Sequence, residues 1–209
     1  MNFVVSASTL LKHLKSIGGV LNTNNTIPIL DCFLFEINKT ELMLSASDME
    51  TTITTSLKVD SNDTGSIAVP AKTLLDSLAN LPEQPISFIV DKTKHSIKLK
   101  TETGDYNISG QNGDEYPKMP KLDSQTSIVI KSDVLANAIN KTIFATGNDD
   151  LRPVMSGVFC QFSEVNSIFV ATDAHKLVRY TRNDAKAGAA ASFIMPKKPL
   201  NVLKTLLAG

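Results

Sequence analysis

The sequence predicts an α+β protein made of two tandem copies of one unit, the second shorter than the first. Apolar residues recur with strand period along most of the chain and with helical period in a few short stretches. The chain also repeats itself at a nearly fixed offset, and the repeat runs out before the second copy is complete. Shifted by 125 residues, Phe3-Val4-Val5 falls on Ile128-Val129-Ile130, Leu10 and Leu14 on Leu135 and Ile139, and Pro28-Ile29-Leu30 on Pro153-Val154-Met155. Phe33-Leu34-Phe35 meets Val158-Phe159-Cys160, and Met43-Leu44 with Ala46 and Asp48 meets Ile168-Phe169 with Ala171 and Asp173. One inserted residue later, Ser66-Ile67-Ala68-Val69-Pro70 meets Ser192-Phe193-Ile194-Met195-Pro196. Identities are few, so the argument rests on one register held over about 80 positions.

Each copy is expected to open with a strand, at Phe3-Val4-Val5 and at Ile128-Val129-Ile130, followed by a helix with a Ser or Asp cap, Ser8 to Ile17 and Asp133 to Phe144. After a proline-marked loop come strands at Ile29 to Glu36 and Glu41 to Ser47, joined by the polar turn at 37–40. A further strand, Thr52 to Val59, has its match at Lys176 to Thr181. Ser66 to Val69 runs into Pro70, suited to a first helical turn, and into a helix from Lys72 to Leu78; the second copy repeats this from Pro196 to Leu207. The first copy continues with strands at Ile86 to Val90, Ser96 to Thr101 and Asp105 to Ser109, then a linker at Glu115 to Asp123 around Pro117 and Pro120. Domain 1 is therefore set at residues 1–125 and domain 2 at 126–209, the latter without its final strands. Three missing strands would leave an open sheet edge, so the chain is expected to be cut from a longer one or to borrow an edge from another chain.

Composition agrees with a globular protein: 209 residues, 42% hydrophobic, 21 basic against 21 acidic side chains. Apolar runs fall far short of the ~20 residues a membrane span needs, and MNFVVSAS lacks a basic leader, so a cytoplasmic protein is expected. Cys32 and Cys160, in apolar runs without CxxC spacing, read as reduced core thiols, and the N-x-S/T triplets as chance polar turns. The charge is uneven: residues 1–125 carry 11 Lys and no Arg against 15 acids, and residues 126–209 carry 10 basic against 6 acidic. Any polyanion contact must then be local.

The strings Thr26-Ile27-Pro28-Ile29-Leu30, Ala171-Thr172-Asp173-Ala174-His175-Lys176-Leu177 and Ile194-Met195-Pro196-Lys197-Lys198 carry a resemblance to the bacterial DNA polymerase III beta subunits, the sliding clamps. The resemblance covers the whole chain. That family usually has Gly where Ala174 stands and Arg where Lys176 stands. It implies DNA-clamp-type domains, each a curved antiparallel sheet with two helices, three to a chain, and two chains closing head to tail around duplex DNA. This sequence would supply the first domain and most of the second; the third is absent. The implied function is polymerase processivity by encirclement, with no chemistry, metal or cofactor of its own. Implied partners are sequence-independent duplex DNA and, through short linear motifs, the polymerase, the clamp loader and repair proteins.

On the first helix Leu10, Leu11, Leu14 and Ile17 form the apolar stripe, leaving Lys12 and Lys15 opposite; Asn137, Asn140 and Lys141 are their equivalents. With Lys72, Lys197, Lys198 and Lys204 these are the candidate DNA-facing residues, joined by Asn24 and Arg152 in the loops at 22–25 and 147–152. The plain alternative is a solvated helix face. The resemblance assigns Met155, Thr172, Ala174, His175, Lys176 and Leu177 to a hydrophobic peptide groove; for Met155 and Leu177 the alternative is core packing. Tyr106 and Ile108, alternating on an edge strand, are the subunit-interface candidates, and the chain alone is expected to be monomeric or weakly associated. Two other functions stay open: a small hydrolase using Asp173 and His175, and a non-DNA scaffold of the same repeat. Against the first, Asp173 recurs as Asp48 whereas His175 is matched by Glu50, which makes the aspartate a turn cap. His13 and His95 are expected on the solvent side.

Overall fold

A computed structural model describes residues 1–22, 25–118, 127–149 and 151–207. The chain forms two compact units, Met1–Met119 and Pro120–Gly209.

In the first unit, β1 (Asn2–Ser6) leads into α1 (Ala7–Ile17). The cap is Ser6, two residues earlier than the expected Ser8: its Oγ accepts from the Thr9 amide at 3.2 Å. Ser8 instead donates its amide to Glu83, which also accepts from the Ser6 hydroxyl at 2.7 Å. An anion thus sits at the positive end of the helix, and the Ser8 and Ser6 hydrogen bonds hold the Glu83 carboxyl below its usual range. A short 3-10 turn at Pro28–Asp31 replaces the start of the strand expected from Ile29, because Pro28 fixes the backbone in a helical φ. Strands β2 (Cys32–Asn38), β3 (Glu41–Ser47), β4 (Thr52–Lys58) and β5 (Thr64–Pro70) follow, then α2 (Ala71–Ala79), β6 (Pro85–Asp91), β7 (Ser96–Thr101), β8 (Gly104–Ser109) and a two-residue strand, β9 (Gln111–Asn112). They make two antiparallel sheets rather than one, ordered β4-β3-β2-β5-β9 and β1-β6-β7-β8, joined by a bridge between Val4 and Asp60. Alternation puts Phe3, Phe35 and Phe88 inside; Phe3 and Phe88 stack with centroids 4.6 Å apart. Ala7, Leu10, Leu14 and Ile17 of α1 and Ala71, Leu74 and Leu78 of α2 are buried, one apolar stripe from each helix.

The second unit holds α3 (Ser132–Thr142), β10 (Gly157–Phe162), β11 (Ser167–Thr172), β12 (Leu177–Arg182), β13 (Ala191–Pro196) and α4 (Lys197–Leu207). Its single antiparallel sheet runs β12-β11-β10-β13. Phe162 and Phe169 meet edge to face beneath Ala138, Ile139 and Leu200 of the two helices. Asp133 lies inside the first turn of α3 and does not cap it; Lys131 stands at the cap without a side-chain bond. Helix α3 also stops at Thr142, and a 3-10 turn carries the chain through Phe144.

The strand expected at Ile128-Val129-Ile130 does not form. Its copy β1 is a strand because β6 pairs with it from Asn2↔Ile89 to Ser6↔Pro85, whereas among the described residues no strand pairs with 128–130. The alternation survives without the ladder: Ile128 and Ile130 pack against the core, while Val129 is 91% exposed. The predicted linker is also partly core. Tyr116 is buried, while Pro120–Asp123 lies outside the described residues.

Candidate functional site

The turn between β11 and β12 is built on Asp173. Its Oδ1 accepts from the amides of His175 at 3.0 Å and Lys176 at 2.9 Å, while Oδ2 takes the Lys176 ammonium. The Lys176 ammonium, then its amide, hold the Asp173 carboxyl far below the usual aspartate range. Thr172 adds a clasp: its hydroxyl donates to the Lys176 carbonyl at 2.7 Å and accepts from the Ala174 amide at 3.2 Å. The first unit makes the same turn, where Asp48 Oδ1 accepts from Glu50 and Thr51 at 3.1 and 2.7 Å. Both turns need a left-handed residue at the next position, φ 79° at Met49 and φ 74° at Ala174, which explains why glycine suits it. Asp173 and His175 meet only through a backbone amide, so the carboxylate orients no imidazole.

This cap presents an apolar surface. Leu177, just past the turn, is 66% exposed. Met155 is half-buried and lies alongside, its carbonyl accepting from the Gly147 amide at 2.8 Å; a Cβ on Gly147 would lie within 4 Å of both Met155 and Asp173. The fold thus brings Met155, Thr172, Ala174, His175, Lys176 and Leu177 to one end of the sheet. Val154, Phe159 and Ile194, which the sequence does not single out, are apolar and exposed by 65%, 36% and 38%. Their repeat partners Ile29, Leu34 and Ala68 pack in a core cluster of the first unit.

The candidate cations divide. Lys12 and Lys15 on α1, Lys72 on α2 and Lys204 on α4 are exposed, as are Asn137 and Asn140 on α3. Among the described residues no ion pair links these four lysines to a carboxylate. Others are engaged: Lys141 lies over the Tyr180 ring at 5.6 Å, Arg152 pairs with Asp149 at 2.7 Å, and Lys197 donates to Asn148 at 2.7 Å. Lys198 is half-buried, and Asn24 lies outside the described residues. On the edge strand β8, Tyr106 is 38% exposed but Ile108 faces its own core and offers a partner only backbone. His13 is not a solvent-side residue: α1 packs on β4, and the His13 ring bonds the Thr55 hydroxyl at 2.8 Å. Burial pushes the Cys32 thiol up to about 11 and the Cys160 thiol up to about 12, so neither is a ready nucleophile or ligand. Among the described residues no His, Cys, Asp and Glu cluster could hold a metal, and no helix is long and apolar enough to cross a membrane.

Comparison with known proteins matches residues 1–120 to the N-terminal domain of the DNA polymerase III beta subunit and residues 129–209 to its central domain. The beta sliding clamp of Halalkalibacterium halodurans is 26% identical over 219 residues, covering 99% of this chain and 57% of that protein. The beta sliding clamp of Bacillus subtilis is 24% identical over 216 residues, with 99% and 57% covered. The crystal structure of the Pseudomonas aeruginosa DNA polymerase III subunit beta superimposes with a TM-score of 0.92 at 25% identity, covering 99% of this chain and 57% of that one. The chain therefore spans a little over half the length of the relatives it matches. With two domain matches in tandem and the duplicated Asp-capped turn common to both units, the chain belongs to the DNA polymerase III beta-subunit family.

Proposed function

We propose that the chain serves as the N-terminal and central part of a sliding clamp, tethering a DNA polymerase to duplex DNA while performing no chemistry itself. The observation that carries this is the pairing of the two family domains, in order, with an exposed Leu177 held on a rigid polar turn. A processivity factor has to hold DNA without reading it. Exposed lysines on helices, Lys12, Lys15, Lys72 and Lys204, suit this, because ammonium groups attract phosphates without a base code. Lys141, Arg152, Lys197 and Lys198 are the weaker candidates, since the first three already have partners and Lys198 is half-buried.

Polymerase, loader and repair proteins would dock by extended motifs, an apolar anchor settling between Met155 and Leu177 while Thr172 and His175 fix its backbone. Met155, unbranched and polarizable, accepts differently shaped anchors. Tyr106 on the β8 edge remains the proposed contact for closing a ring with further clamp domains, its partner pairing along the strand backbone.

The test is a titration of the chain with a hydrophobic clamp-binding peptide. His175→Ala with Leu177→Ala should weaken it about tenfold or more, and undiminished affinity would refute the groove. In parallel, Lys-to-Ala changes at 12, 15, 72 and 204 should lower DNA affinity at low salt and flatten the salt dependence by roughly 0.9 in slope for each phosphate no longer neutralised.

A further inference from the structure

We propose that Arg152 links the peptide groove to DNA: a phosphate and the Asp149 carboxylate compete for its guanidinium, and when the phosphate wins, the Met155 wall of the groove loosens. This rests on the sliding-clamp reading and adds to it a coupling between its two sites. Met155 hangs between two backbone bonds. Its amide donates to the Arg152 carbonyl at 2.9 Å, and its carbonyl accepts from the Gly147 amide at 2.8 Å. Gly147 also adjoins the Asp173 turn, since a Cβ there would lie 3.7 Å from the Met155 Cβ and 3.9 Å from the Asp173 Cα. The position of the groove wall thus follows the position of the turn that carries Arg152.

Asp149 holds that turn. Its Oδ1 accepts from the Leu151 amide at 2.9 Å and its Oδ2 from Arg152 Nε at 2.7 Å. Its carbonyl accepts from the Arg152 amide at 3.1 Å and from the Ser156 hydroxyl at 3.2 Å. The Ser156 carbonyl takes the Lys197 amide at 3.0 Å, and the Lys197 ammonium closes back on Asn148 at 2.7 Å, which anchors the turn to the start of α4. The Arg152 hydrogen bond is the first cause holding the Asp149 carboxyl below its usual range, so the pair is charged at neutral pH. It is nonetheless open to competition. The Arg152 side chain is 54% exposed and that of Asp149 34%, and an ion pair so placed is weak. A phosphate gripped through two guanidinium N–H groups draws on the same fork, and its charge repels the carboxylate beside it. Lys197 differs, because an ammonium has three donors and can meet a phosphate without releasing Asn148. Arg152 is therefore the residue whose capture by DNA alters the turn. Its register copy is Ile27 and that of Asp149 is Asn24, so the first unit carries no such pair.

The test is fluorescence anisotropy of a labelled hydrophobic clamp-binding peptide titrated with the chain at low salt, with and without a saturating short DNA duplex. The duplex should weaken the peptide about threefold, the size a surface pair can carry, and the peptide should weaken the duplex by the same factor. Asp149→Asn keeps an acceptor for the Leu151 amide but removes the charge. In that variant the duplex should bind more tightly, and peptide affinity should be the same with and without it. Arg152→Ala should also abolish the coupling, and in its background Asp149→Asn should no longer act through the guanidinium, so the gain in duplex affinity shrinks. Peptide and duplex that each bind while ignoring one another would overturn the proposal. So would a coupling that survives Asp149→Asn, because the two ligands would then collide directly. If the peptide or the duplex fails to bind on its own, the sliding-clamp reading itself falls and the coupling with it.

Discussion

The two units carry one pattern and express it differently at their first apolar segment. In the first, Phe3 sits in a ladder between its own core and Phe88, buried to 2%. In the second, the matching residue Ile128 keeps its inward direction and packs against the core but belongs to no strand. Alternation in a sequence thus sets which side chains face inward, whereas a strand requires a second backbone to take its amides and carbonyls.

The comparison breaks first at its largest effect. Phe3→Ala should cost the first unit about 3–5 kcal/mol, as expected for emptying a packed aromatic cluster, whereas Ile128→Ala should cost the second about 1–2 kcal/mol. Urea unfolding followed by probes specific to each unit measures both. Equal costs would mean that the ladder contributes nothing to how tightly the residue is held. Hydrogen exchange sharpens the point: the Val4 amide, bonded to the Asp60 carbonyl at 3.0 Å, should be protected, and the Val129 amide should exchange near its unstructured rate.

A smaller difference lies on the outer sheet faces. Tyr116→Phe keeps the ring but strands the Ser47 amide and the Cys32 carbonyl, both served by the phenol. The expected loss is about 1–3 kcal/mol, confined to the first unit and read by thermal unfolding. Burial pushes the Tyr116 phenol up to about 12, so the hydroxyl stays protonated and the bridge persists to strongly alkaline pH.

How much of this was legible follows from which forces are local. The strand at 41–47 and the inward stripe Leu10, Leu14, Ile17 were readable because periodicity alone decides them. The Asp173 cap was readable because a short carboxylate near its own backbone needs no distant partner. What failed depended on distant chain. The segment at 128–130 has no pairing strand among the described residues, and Tyr116 sits in a proline-marked stretch that looks like a linker until Cys32 and Ser47 are seen apart. His13 was misread because its ring meets Thr55, a residue 42 positions away. Among the residues proposed for the groove, exposure of Leu177 could not be read from sequence, since an apolar residue beside a strand is core or surface according to the fold's reach.

The smallest effect tests the feature the units share most closely. Left-handed backbone costs an ordinary residue about 1–2 kcal/mol, part of which glycine returns through its greater freedom when unfolded. Ala174→Gly should therefore stabilise the second unit by about 0.5–1 kcal/mol, and Met49→Gly the first by a similar amount. The Asp173 cap supplies the pH check. Its carboxyl is lowered on folding, so its contribution is present above the unfolded value near 3.9 and fades as acid approaches the lower folded value. The gain from Ala174→Gly should thus persist from pH 7 down to about pH 5, well above that window, when melting temperatures are compared. If the substitution instead destabilises, the turn is held by contacts of the Ala174 methyl and not by its backbone angle, and the equivalence of the two turns fails.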